Sequence, residues 1–105
     1  MRKFRILIYQ AIPGYWIGVC LDVDYAAQAN TAEHAAQYTI EGTAILIQGN
    51  PPGSRDGMEA PSYFTEEYET VGAISEEYRT GKVAGEECEF VIRKAHTNWQ
   101  PLEAA

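Results

Sequence analysis

Residues 15–35 read YWIGVCLDVDYAAQANTAEHA, and within them the side-chain period changes from two to about 3.6. Tyr15, Ile17, Val19 and Leu21 alternate with Trp16, Gly18 and Cys20, the pattern of a β-strand. Asp22, Val23 and Asp24 interrupt that alternation at a bend, and Tyr25 through Ala29 offers a short further strand. Asn30-Thr31-Ala32-Glu33 then opens a helix. Asn30 as N-cap with Glu33 three residues on makes a capping-box-like start, with Thr31 a competitor for the cap.

Working outward, residues 3–12 form a first strand rich in β-formers (Phe4, Ile6, Leu7, Ile8, Tyr9). Its second half is apolar on both parities, so it should be covered on both faces. Pro13-Gly14 is the turn into the second strand. The helix should end near Gln48, at Gly49, because Asn50-Pro51-Pro52 bars continuation. Ala32, Ala36, Ile40, Thr43 and Ile47 form its stripe against the sheet. Ile45 and Leu46 fall away from the centre of that stripe, as the flank of a wide core face or as a subunit contact. Residues 49–61 read as a surface loop, 65–80 as a second helix, and 89–95 as a returning strand. The second helix rests on Phe64, Tyr68, Val71, Ile74 and Tyr78 at helical spacing. The tail from His96 is expected to fray, apart from Trp99 folding back.

These elements predict one α+β domain over residues 1–105. It has a three-stranded antiparallel meander plus a returning fourth strand, in a two-layer β-β-β-α-α-β sandwich. An inserted loop and helix occupy about 49–86. The arrangement resembles the HicB-like antitoxin family, a partial RNase H fold. The resemblance is carried by residues 15–20 as the strand after a glycine turn, residues 22–28 as the bend and third strand, and residues 29–35 as the helix opening. Thr31, Glu33 and Ala35 match the family's Gly-Asp-Thr-x-Glu-Glu-Ala signature, while Ala29, Asn30 and His34 depart from it. The family's Pro-Gly-Cys near the bend is replaced by Asp24-Tyr25-Ala26. The resemblance implies a protein-binding module that self-associates as a dimer or tetramer, with a small basic HicA-like toxin as a possible partner class. Ten residues follow the last predicted strand, too few for the DNA-binding appendage that many family members carry.

The chemistry-bearing residues point away from catalysis. A nuclease of RNase H type needs a carboxylate in the first strand, and residues 4–12 contain no Asp or Glu. Asp22 and Asp24 suit a bend better than a cation site. Glu33 and His34 are helix neighbours that point about 100° apart, so they do not form an acid–base pair. Cys20 and Cys88 are expected to be buried reduced thiols, and they show no ligand spacing with His34 or His96. No catalytic residue, metal ligand or cofactor is therefore assigned. The net charge of −7 argues against direct nucleic-acid binding. No apolar run spans a membrane, and the basic start is followed by too short an apolar stretch for a secretory signal, so a cytoplasmic location is expected. Seven tyrosines and two tryptophans favour interfaces, with Tyr9 and Trp16 as the leading aromatic candidates beside Ile45 and Leu46. Two alternatives stay open: a small-molecule-binding or hydrolytic protein with a pocket under the 49–61 loop, and an orphan oligomeric domain.

Overall fold

In the computed structural model, which describes residues 1–49 and 58–101, the chain runs β1 (Arg2–Ile12), β2 (Tyr15–Cys20), β3 (Tyr25–Ala29), α1 (Ala32–Gln48), α2 (Ser62–Val71), β4 (Glu77–Val83), β5 (Glu86–Lys94). The five strands form one mixed sheet in the order β3-β2-β1-β5-β4. The meander β1-β2-β3 is antiparallel, β5 returns parallel to β1, and β4 hangs antiparallel on the outer side of β5.

The sheet is filled from both sides because β1 is apolar on both parities. Phe4, Ile6 and Ile8 face α1, together with Cys20, Cys88, Phe90 and Ile92. Leu7 and Tyr9 face the opposite way, with Val19, Leu21 and Val91, under Ala60, Phe64 and Tyr68. The two helices therefore lie on opposite faces, giving three layers where two were expected. Paired strands carry the α1-side core across the sheet, for Phe4 lies opposite Phe90 in the parallel register and their rings stack at 5.4 Å.

Helix α1 approaches β2 closely. A side-chain carbon at Gly18 would overlap the Thr39 hydroxyl and crowd the Ala35 carbonyl, so glycine is required there by contact rather than by backbone angle. The helix begins one residue later than a capping box at Asn30 implies. Thr31 is the N-cap, its hydroxyl accepting from the backbone N–H of His34 at 3.1 Å. Glu33 is thus the second helical residue. It favours the positive helix end by charge but is not the reciprocal partner of the cap.

The largest departure is in residues 65–80. Helix α2 stops at Val71 because Gly72 takes φ +54, and residues 77–83 form a fifth strand. Tyr78 and Ile74, whose spacing extended the predicted helix, lie outside it. The strand is held by a tight hairpin to β5 whose two turn residues, Ala84 and Gly85, both have positive φ (53° and 82°), as the twist-matched two-residue hairpin requires. Gly81 sits within β4 opposite Cys88. The tail is not frayed up to residue 101. Trp99 meets Tyr9 edge-on at 5.3 Å, and the Gln100 amide donates to the carbonyls of Gln10 and Ala11 at 3.1 Å.

Candidate partner-binding surface

Each residue named for a partner contact has a definite place. Tyr9 is 7% exposed, its ring enclosed by Phe64 and Trp99, so its ring is spent within the chain. Trp16 is half-buried at the margin of the α1-side core, with the Lys94 ammonium 5.6 Å from its ring centre. Leu46 is half-buried against the same core. Ile45 alone of the four stands out in solvent, 70% exposed.

The structure groups Ile45 with residues not singled out beforehand. Tyr38, 48% exposed, lies seven positions before it on the outer side of α1, and His34 stacks on Tyr38 at 6.0 Å. A second exposed group surrounds β4, where Ile74 is 88% and Tyr78 58% exposed. The strand lies at the end of the sheet, so among the described residues one side of its backbone has no pairing strand. The Tyr78 hydroxyl donates to the Glu76 carboxylate, which also accepts from Arg93 Nε at 2.7 Å. Those two bonds hold the Glu76 carboxyl below its ordinary pKa, the tyrosine contributing most, and the same carboxylate pushes the Tyr78 hydroxyl up. The sequence places Ile74 and Tyr78 on a helix over 65–80, where their spacing points them at a core rather than at solvent.

Beside α1, the sheet extends past the helix onto β5 and β4 and leaves a cleft of about 380 Å³. Its walls carry Glu33, Ser75, Glu77, Arg79 and Lys94 over a floor of Ile8 and Ile92. Arg79 is already engaged: it pairs with Glu77 at 2.8 Å and donates to Gln37 at 3.2 Å, tying β4 to α1. Among the described residues, no histidine or cysteine lines this cleft. The pocket anticipated under residues 49–61 falls largely on residues outside the described ones.

The remaining polar groups have structural work. Asp22 is bound to Arg5, and Asp24 takes φ +52 at the bend. Glu67, 7% exposed on α2, accepts from the His96 backbone N–H at 2.7 Å and lies 3.1 Å from its Nδ1. That buried carboxylate anchors the chain after β5. Cys20 and Cys88 are free and buried, and burial pushes the Cys20 thiol up in pKa. Among the described residues no cluster of three His, Cys, Asp or Glu is placed to hold a metal, and no helix is long and apolar enough to cross a membrane. Comparison of the chain with protein-family models, curated proteins and solved structures finds no match.

Proposed function

We propose that this chain is a non-catalytic protein-binding module resembling the HicB-like antitoxins, which self-associates and works in the cytoplasm. The observation that carries the reading is the exposure of large apolar side chains on two elements, Tyr38 and Ile45 on α1 and Ile74 and Tyr78 around β4. The strand-strand-strand-helix order with a returning strand beside β1 supports the family resemblance, with α2 and β4 as additions to it. The acidic surface suits a small basic toxin as partner. Sedimentation across micromolar concentrations tests self-association, and a monomer throughout removes it. Co-expression with a small basic protein encoded beside this chain tests the antitoxin role: a stable complex supports it, and separate elution of the two removes it.

A second reading, small-molecule binding, is favoured by the cleft beside α1 with its paired charges. Thermal-shift measurement against a metabolite panel separates the two, since the protein-binding reading expects no ligand to raise Tm.

A further inference from the structure

The self-association proposed above needs a surface, and we infer that it is the free edge of β4, paired antiparallel with β4 of a second copy about Thr80. The inference rests on that proposed function and names the contact through which it operates. Strand β4 has seven residues, contains no proline, and ends the sheet with one side of its backbone unpaired among the described residues. The opposite edge, β3, is Tyr25–Ala29 and carries no charge to set a register.

A two-fold axis perpendicular to the sheet keeps each face on its own side, so only residues of equal parity can stand opposite one another. Centring on Arg79 would set two guanidinium groups face to face. Centring on Gly81 would oppose the two residues least able to form a side-chain pair. Centring on Thr80 puts Thr80 against Thr80 of the partner subunit, a favourable cross-strand pair. It also puts Arg79, already held by Glu77 and Gln37, against Gly81 of the partner subunit, where no side chain competes for its space.

Charge complementarity selects the same register. Tyr78 would stand opposite Lys82 of the partner subunit, with Glu76 on the diagonal, within reach of a long side chain. The Tyr78 hydroxyl and Glu76 carboxylate already form a bonded pair, which the lysine ammonium would meet twice, once at each end of the interface. Strand β4 holds Arg79 and Lys82 against the single acid Glu77, so the copies meet where this −7 chain is locally not acidic. The turn bearing Ile74 would lie near the β4–β5 turn of the second copy, covering a side chain that is 88% exposed in one chain.

The test uses single cysteines and a short bis-maleimide on the full chain, whose own thiols, Cys20 and Cys88, are buried; the wild-type chain treated alike is the control. Thr80→Cys, at an exposed position, is expected to give a cross-linked dimer. Tyr78→Cys and Lys82→Cys are expected to remain uncrossed when separate and to cross-link when mixed. A wild-type chain that sediments as a monomer overturns the pairing together with the self-association of the proposed function. A wild-type dimer in which Thr80→Cys does not cross-link, and the mixed pair does not either, overturns the pairing and leaves that function standing.

Discussion

Asp22 replaces a backbone carbonyl as the hydrogen-bond partner of Arg5. One carboxylate oxygen accepts the Arg5 backbone N–H at 2.7 Å, and the other accepts its guanidinium at 2.7 and 3.1 Å. Leu21 still donates to the Arg5 carbonyl at 2.8 Å, but its own carbonyl is released to accept Ala60 N–H at 2.9 Å. The bend after β2 is thereby coupled to the segment that enters α2. This is the work of an aspartate that could otherwise pass for half of a cation site.

Asp22→Ala should therefore do more than remove a half-exposed ion pair. It strips the acceptor from a backbone N–H and from a partly buried guanidinium, a loss of about 2 kcal/mol for charge-assisted bonds. Urea unfolding would read that loss, with Asp22→Asn retaining part of it. Hydrogen exchange at the Ala60 amide should accelerate in Asp22→Ala, and an unchanged rate would show that the coupling to α2 is absent.

Gly18→Ala should cost about 1–3 kcal/mol, the range for overpacking a filled core. The added methyl would meet the Thr39 hydroxyl and the Ala35 backbone carbonyl, and a helix backbone does not move aside cheaply. Thermal unfolding would measure it. Gly14→Ala is the control, because open space surrounds that position and only its φ of +77 opposes the change.

The meander, α1 and the two-sided burial of β1 were legible because their signals are local: alternation, a Pro-Gly turn, a cap and a glycine stop. The cap itself was ambiguous between Asn30 and Thr31, and geometry chose Thr31. The stretch 65–80 misled because Phe64, Tyr68 and Val71 are truly helical, and Ile74 and Tyr78 continue their spacing by coincidence. What decides β4 is pairing with β5 and the positive φ of Gly72, neither of which has helical or strand periodicity of its own. Ala-Gly at 84–85 is also a weaker turn signal than Asn-Gly. Of the candidate contact residues, Ile45 was visible as an apolar residue off the stripe. Tyr9 looked available only because Trp99 and Phe64, which enclose it, are distant in sequence.

Thr43 offers a stabilising substitution. Its hydroxyl is buried in α1 with no nitrogen or oxygen hydrogen-bond partner among the described residues, and the buried Cys20 thiol is a weak polar neighbour. Thr43→Val keeps the shape and removes an unsatisfied polar atom, so a gain of about 1 kcal/mol is expected. Denaturant unfolding measures it, and a loss of stability would mean that the hydroxyl has a partner after all.

Both thiols should be silent in the native protein. Cys20 and Cys88 are 0% and 1% exposed, and burial raises the Cys20 pKa, leaving little thiolate near neutrality. A colorimetric thiol reagent should titrate neither cysteine quickly under native conditions and both in denaturant. Rapid native labelling would contradict the burial.

Acid should weaken the anchor of β4. Glu76 accepts from Tyr78 and from Arg93, whose guanidinium also donates to the Tyr68 carbonyl at 3.0 Å and lies 4.2 Å from the Tyr68 ring. Because the folded-state pKa of Glu76 lies below its unfolded value, its stabilisation is fully present above the unfolded value. It is lost as pH falls through the folded value, so the window lies in the acid range below an ordinary glutamate pKa. Glu76→Gln should flatten that part of the stability–pH curve while leaving the curve near neutrality parallel to wild type. The change should be local as well, with faster exchange of β4 amides in acid for wild type and little further acceleration for Glu76→Gln. An acid limb of equal slope in both proteins would place the titrating group elsewhere.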